Sequence, residues 1–290
     1  MLYLDMTRRI LTVIAVLLAT IGCRAQEDYM STVRFDDESL DVFSRVTAAV
    51  EPYKDESAPR LLVRVAKQFL GTEYVGGTLE IEPERLTISM CKTDCILFVE
   101  MCLALVQTIK GDKPTFETFC RKTQNLRYHR GRVSGYDSRN HYTSAWIAQG
   151  EENGFFREIS KDLGGSPLDQ KFDFMSTHPQ AYKQLANDPA LVTLIHTTEV
   201  DLSQRDYWYL PQKELPTLVK GVKEGDIICF VTPVAGLDIG HVAIAVKQPD
   251  GMHFIHASSN AMKVIIDSQT IADYVSTHKS AKGIRVVRLN

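Results

Sequence analysis

The sequence predicts an α+β fold, on three observations. Apolar residues recur at helical spacing in the first half, at Leu61, Leu62, Val65, Ala66, Phe69 and Leu70 and again from Cys95 to about Ile109. Short apolar runs fill the C-terminal part, at 227–231, 241–247 and 252–258. The turn signals Glu224-Gly225-Asp226 and Pro249-Asp250-Gly251 separate those runs tightly enough for an antiparallel arrangement. Helices first and strands afterwards is the pattern of an α+β chain, not of alternating βαβ units.

The chain has 290 residues, 44% of them hydrophobic and 24% charged, an ordinary balance for a globular protein. The formal charge of −3 gives no electrostatic reason to bind a polyanion. The basic run 127–132 is too isolated to change that, so no nucleic-acid partner is expected.

The first segment reads as an export signal. Arg8-Arg9 precede an apolar run over 10–21 and then Gly22-Cys23-Arg24-Ala25-Gln26. The run is too short for a spanning helix, which needs about 20 apolar residues. Two cleavage sites fit: one before Cys23, which would carry a lipid, and one after Ala25. Residues 1–25 are therefore assigned to a signal, with a lipid on Cys23 as the sole membrane attachment considered. Residues 26–58 read as a linker and a surface helix, with weak patterning over 40–50. The remainder, 59–290, reads as one domain with an inserted segment near 112–210.

Within that domain the first helix ends at Gly71, and Tyr74-Val75-Gly76-Gly77 forms a turn. The helix from Cys95 carries Phe98, Val99, Cys102, Leu105 and Val106 as one buried stripe. Short helices are expected near 114–122 and 178–187. Strands are expected within 191–209, with Leu194 and Ile195 buried. Two further strands are expected at 264–266 and 284–289.

The cysteines do not form a small disulfide scaffold. Without Cys23 five remain, so at least one thiol is free. No C-x-x-C pair exists, so no structural zinc site is expected; the cysteine chemistry argued below calls for no metal, and no cofactor is expected. Cys102 and Cys229 read as core residues. A Cys91–Cys120 pair is left open.

Cys95 is different. It follows Thr93-Asp94 at the start of an apolar helix, where unpaired N–H groups and the helix dipole favour a thiolate. Asp94 reads as the helix cap, and its amide as a possible oxyanion contact. A thiol nucleophile needs a base and a group that orients the base. The hairpin around Pro249-Asp250 supplies both by arithmetic. If Lys247 faces Met252 and Ala245 faces Phe254, then His241, Ala243, Ala245, Phe254 and His256 share one face. His241 and His256 are then diagonal neighbours, close enough to touch. The small Ala243 and Ala245 leave room on that face for the start of the Cys95 helix. A bulge in this hairpin would separate the histidines.

These segments resemble the NlpC-type, papain-like cysteine peptidases of bacterial cell walls. The matching motifs occur in order: Gly71-Thr72-Glu73-Tyr74-Val75-Gly76-Gly77, Asp94-Cys95, the strand from Gly225-Asp226, His241-Val242-Ala243-Ile244-Ala245, and Phe254-Ile255-His256-Ala257-Ser258. The resemblance covers about 60–290. It implies a papain-like fold, Cys95 as nucleophile, His241 as base, His256 as its orienting partner, and Tyr74 beside the oxyanion. Two departures stand out: Ile96-Leu97 replace the usual small pair after the cysteine, and the stretch between Cys95 and Gly225 is long. That stretch, with Leu126–Gly131, Gly135–Tyr142 and Gly236-Leu237-Asp238, resembles a branch once catalogued as a domain of unknown function and associated with N-acetylmuramoyl-L-alanine amidase activity.

The resemblance implies a cysteine hydrolase acting on peptidoglycan or muropeptide fragments, most naturally at the muramoyl–L-alanine amide through a thioester. Two other readings stay open: a D-glutamyl–diamino acid endopeptidase on the same residues, and a wall-binding lipoprotein without turnover. Arg139, His141 and Tyr142 are the candidate substrate contacts, because a guanidinium clamps carboxylates and aromatic rings pack on sugars. The expected location is the bacterial envelope, in the periplasm, with or without a lipid anchor.

Overall fold

The computed structural model describes residues 29–290. The export signal, both cleavage sites and Cys23 lie outside the described residues. The structure is mixed α and β. Its strands are β1 Glu73–Tyr74, β2 Lys92–Thr93, β3 Phe156–Glu158, β4 Ser166–Leu168, β5 Tyr207–Pro211, β6 Ile227–Val231, β7 Ile239–Gln248, β8 Gly251–Ser258, β9 Lys263–Ile266 and β10 Gly283–Leu289. Its principal helices are α1 Asp37–Val50, α2 Ala58–Lys67, α3 Cys95–Ile109, α4 Phe116–Arg127, α5 Thr143–Glu152, α6 Phe174–Thr177, α7 Pro189–Ser203, α8 Leu215–Leu218 and α9 Ile271–Thr277.

One sheet runs in the order β2-β1-β9-β8-β7-β6-β10-β5-β4, with β3 also on β10. Every pairing is antiparallel except β1 with β2, so the sheet is mixed. The β7–β8 hairpin has the expected register: Gln248 faces Gly251, Lys247 faces Met252 and Ala245 faces Phe254. Its two-residue loop fixes that register without a bulge. The bulge lies on the other side of β7, where the register to β6 shifts between Phe230 and Val231.

Period-two alternation divides the sheet into two faces. Val242, Ile244, Val246, Ile255 and Ala257 join the core that also holds α2 and α3. Ile228, Phe230, Ala243, Ala245 and Phe254 join Leu215 of α8 and Ile271 and Val275 of α9. A third cluster around Tyr142, Phe172, Met175, Ile195, Leu202 and Tyr207 lies within the long segment before β6 and reaches Val231.

This division corrects one expectation. The face carrying Ala243 and Ala245 accommodates Phe254 and α9, while α3 belongs to the core on the opposite face. α3 is also more than a striped helix: twelve of its fifteen residues are buried. A helix apolar on nearly every side must be enclosed, and α2, α4, β7 and β8 all touch it. Phe98, Val99, Cys102 and Leu105 have no exposed surface. Each such side chain contributes roughly 1.5–3 kcal/mol of burial.

Other expectations change as well. Residues 29–58 are not a linker, since Val33, Phe43, Val46 and Val50 enter the main core. The Asp36 carboxylate caps α1 by accepting from the Ser39 amide at 2.8 Å. The helix expected over 178–187 is a single turn, Pro179–Ala181. The strands expected in 191–209 are mostly helix α7, started by Asp188 accepting from the Leu191 amide at 2.9 Å and by Pro189 in its first turn. Ile195 is buried there, but Leu194 is 51% exposed, because only residues three or four apart share a helix face and Leu194 lies on the outer side of α7. All five described cysteines are free, which settles the Cys91–Cys120 question. Cys102 and Cys229 are buried, as the sequence suggests.

Candidate active site

Asp94 ends β2's extended run and caps α3, its carboxylate accepting from the Leu97 amide at 2.9 Å. Cys95 is therefore the first helical residue. Tyr74 reaches the same place through the parallel pairing of β1 and β2, where it is opposite Thr93. The Val75 amide donates to the Thr93 carbonyl at 3.0 Å, tying the two segments. Burial raises the Tyr74 hydroxyl pKa first, with Cys95 and Asp94 adding to the rise.

The strands then open a place for the thiol. The β7–β8 ladder ends at Ile244 opposite Ile255. Beyond it β7 stays with β6 and β8 stays with β9. The Ala245 amide bonds towards β6, at the Asp226 carbonyl, so by alternation the Val242 amide faces β8. The ladder does not use that amide, which turns to the Cys95 sulfur. The thiol thus sits beside the residue that follows His241.

His241 and His256 meet across the same opening. Nε2 of His241 and Nδ1 of His256 are 2.7 Å apart. The rings are close to perpendicular, at 83°. Phe230 and Phe254 pack on the histidines, with centroid distances of 5.7 Å to His241 and 4.8 Å to His256. Nδ1 of His241 makes no hydrogen bond among the described residues and is left as the free nitrogen of the pair.

Burial dominates the protonation of all three groups. It pushes the Cys95 thiol up to about 12, with the Asp94 carboxylate adding to the rise and the Val242, Ile96 and Cys95 amides opposing it. It holds His241 down to about 3, with His256 as the next cause and Asp267 opposing, and it holds His256 to about 4. Burial therefore opposes the thiolate that the helix start favours, and it opposes charge on both imidazoles.

The structure does not gather Arg139, His141 and Tyr142 as open ligands. Arg139 is buried, 2.9 Å from Glu80 and 3.1 Å from Glu84, and it lies 4.6 Å from the Tyr136 ring centre. Its guanidinium clamps the protein's own carboxylates. His141 bonds the Tyr136 carbonyl at 2.7 Å and packs on the Tyr136 ring at 4.2 Å. Tyr142 is a core residue: its hydroxyl donates to Glu199 at 2.6 Å and accepts from the Met175 amide at 3.1 Å. An arginine and aromatics near a turn read as a ligand platform in sequence because partners such as Glu80 and Glu199 lie 59 and 57 positions away. Asp238, just before β7, accepts from the Ser144 amide at 2.7 Å and so ties that loop to α5.

A family model described as AmiA-like, N-acetylmuramoyl-L-alanine amidase-like, matches residues 64–284. The chain belongs to this AmiA-like family. The match spans β1, α3 and the whole β6–β9 region, so every candidate residue from Tyr74 to His256 falls within it.

Solved structures agree with the family. An N-acetylmuramoyl-L-alanine amidase from Bacteroides uniformis is 33% identical, with a TM-score of 0.76, over 80% of this chain and 99% of that one. A Bacteroides fragilis protein described provisionally as a xylanase is 34% identical, with a TM-score of 0.72, over 77% of this chain and 99% of that one. A Legionella pneumophila protein assigned to the domain of unknown function DUF1460 shares the fold at 20% identity and a TM-score of 0.64, over 85% of this chain and 93% of that one. No curated protein is significantly similar to the chain.

Two residues at the opening were not singled out from sequence. Asp267 follows β9 and places Oδ2 3.3 Å from Nε2 of His256. Tyr274 of α9 stands 6.4 Å from the His256 ring, and burial, Asp267 and Cys95 all raise its hydroxyl pKa. The signal for Asp267 was its position next to an apolar strand. That signal is weak, because Asp267-Ser268-Gln269-Thr270 has the composition of an ordinary loop.

Proposed function

We propose that this AmiA-like protein is a cysteine-dependent N-acetylmuramoyl-L-alanine amidase with a papain-like, NlpC-type arrangement. The observation that carries the reading is the 2.7 Å contact of His241 with His256, on the strand whose Val242 amide turns to the Cys95 sulfur. A thiol, an imidazole and a second imidazole that holds the first are the parts of an activated nucleophile. The family match supplies the substrate class, peptidoglycan or its muropeptide fragments.

In this mechanism Nδ1 of His241 takes the Cys95 proton as the sulfur attacks the lactyl carbonyl of the muramoyl group. The S–C bond forms and the carbonyl electron pair moves to oxygen. Backbone amides at the start of α3, with Tyr74, are the donors this reading assigns to that oxyanion. Collapse breaks the C–N bond, and the L-alanine nitrogen leaves with the proton from His241. A thioester remains on Cys95. Water, deprotonated by His241, attacks it and releases the muramic acid and the thiol. Neutral resting groups suit this sequence, since charge separates only as the carbonyl is attacked.

The provisional xylanase description of one relative fits the site poorly. Glycoside hydrolysis calls for a pair of carboxyl groups flanking the bond, and a thiol with two imidazoles is acyl-transfer chemistry. By its N-terminal signal the protein is proposed to work in the bacterial envelope, in the periplasm or anchored through Cys23.

Mass spectrometry of muropeptides after digestion tests the bond. Free stem peptides beginning with L-alanine are expected. Stems split after D-glutamate would replace this reading with the endopeptidase, and an unchanged profile would leave a wall-binding protein.

A further inference from the structure

We propose that Asp267 is a positioning residue: its carboxylate sets which nitrogens of His256 and His241 carry protons, so that His241 presents a free acceptor to Cys95. This deepens the cysteine reading above and rests on it. A carboxylate can only accept. Oδ2 of Asp267 is 3.3 Å from Nε2 of His256, and that buried nitrogen forms no aligned hydrogen bond with any described residue, Asp267 included. The carboxylate is in reach but poorly aligned, as catalytic contacts in unliganded sites often are. It still places the proton of neutral His256 on Nε2, so Nδ1 of His256 is an acceptor. The atom 2.7 Å from it, Nε2 of His241, must then be the donor. Neutral His241 carries one ring proton, and with it on Nε2 its Nδ1 is left bare.

The opposite tautomer would undo this. With the proton of His256 on Nδ1, Nε2 of His241 would have to accept, and the His241 proton would sit on Nδ1. The base would then be absent. Two neutral imidazoles in contact do not choose between these states, and Asp267 does.

Asp267 is built to hold that orientation. Its amide donates to the Phe254 carbonyl at 2.9 Å. Its carbonyl meets Nδ1 of His253 at 2.9 Å, and Oδ1 accepts from the Gln269 amide at 2.9 Å. Only Oδ2 remains to face His256, whose side chain is 3% exposed against 15% for Asp267. The remaining titratable groups at the opening are Asp94 on α3, Tyr74 on β1 and Tyr274 on α9.

The test is Cys95 alkylation by iodoacetamide across pH, read by peptide mass spectrometry, in the full chain and in Asp267→Asn, Asp267→Glu and Asp267→Leu. Alkylation reports on the thiol and its base without needing a muropeptide. We expect Asp267→Asn and Asp267→Leu to slow it about tenfold or more at neutral pH and to change the shape of the pH profile, with Asp267→Glu recovering part of the rate. Nitrogen-15 NMR of the histidine rings reads the tautomer directly, and should show His256 protonated on Nε2 in the native chain and a mixture in Asp267→Asn. A native alkylation profile and native tautomers in a folded Asp267→Asn protein would overturn the proposal. If the native chain cleaves no muropeptide while alkylation still depends on Asp267, the amidase reading fails and this one stands.

Discussion

Nε2 of His241 lies 2.7 Å from Nδ1 of His256, although the two residues are fifteen positions apart on different strands. The contact spans the gap where β7 and β8 part, beyond Ile244 and Ile255. In the proposed mechanism it leaves Nδ1 of His241 to act as the base. His256→Ala is expected to lower kcat by about 10²–10⁴ with KM little changed, because an unoriented imidazole samples the wrong tautomer. His256→Asn, whose amide oxygen can accept from Nε2 of His241, should retain more activity than His256→Ala. Equal losses in the two variants would argue against an orienting role.

Cys95→Ala should abolish muropeptide turnover and leave the fold intact. The thiol is partly buried at the first turn of α3, and the cap at Asp94 uses the Leu97 amide, not the thiol. A melting temperature within a few degrees of the native value is expected alongside the lost activity. Turnover that persists in Cys95→Ala would remove the cysteine mechanism.

Three histidines with depressed pKa values make the fold sensitive to acid. Burial holds His141 and His241 down to about 3 and His256 to about 4, all below the usual imidazole value of 6.5. Below that value the unfolded chain binds protons that the folded chain refuses. The stability these groups contribute is therefore complete above about 6.5 and is lost as pH falls towards 3–4. At pH 5.5 the loss is on the order of 1 kcal/mol for each histidine. Urea unfolding at pH 7.0 and 5.5 reads it as a lower midpoint, and coincident curves would contradict the burial.

Tyr142→Phe should cost stability without touching the chemistry. The hydroxyl serves Glu199, which is fully buried, and the Met175 amide. Removing it leaves a carboxylate and an amide short of a partner, a loss of about 1–3 kcal/mol. A large fall in kcat/KM with unchanged unfolding would return Tyr142 to the substrate site.

The pair of Arg127 and Glu100 offers a larger effect. Nε of Arg127 is 2.9 Å from the Glu100 carboxylate and the guanidinium also donates to the Thr87 carbonyl at 2.6 Å, all in the core beside α3. Arg127→Met would strand a buried carboxylate, at a cost of about 3–5 kcal/mol. Thermal or urea unfolding checks this directly.

Much of this was legible in the chain. α3 begins at Cys95 because Asp94 caps it and an apolar run follows, both local signals. The β7–β8 register follows from a two-residue turn and strict alternation, which is why His241 and His256 could be paired on paper. Helix α7 reads as strand in the sequence because Leu191, Val192, Leu194 and Ile195 form a dense apolar run that masks its Asp188-Pro189 start signal. Arg139, His141 and Tyr142 differ from their sequence reading for another reason. Whether a polar group is free depends on partners such as Glu80, Glu84 and Glu199, which sequence spacing cannot place.

The sequence by itself determined the position of Cys95 at a helix start and the shared face of the two histidines, since both rest on short-range periodicity and turn length. Only the tertiary structure decided that α3 packs on the face opposite the histidines. It alone showed that β7 and β8 part beyond Ile244 and Ile255, that the Val242 amide there turns to the Cys95 sulfur, and that Asp267 stands beside His256. Those relationships are set by how layers pack and where strands separate, and both depend on contacts between residues far apart in the chain.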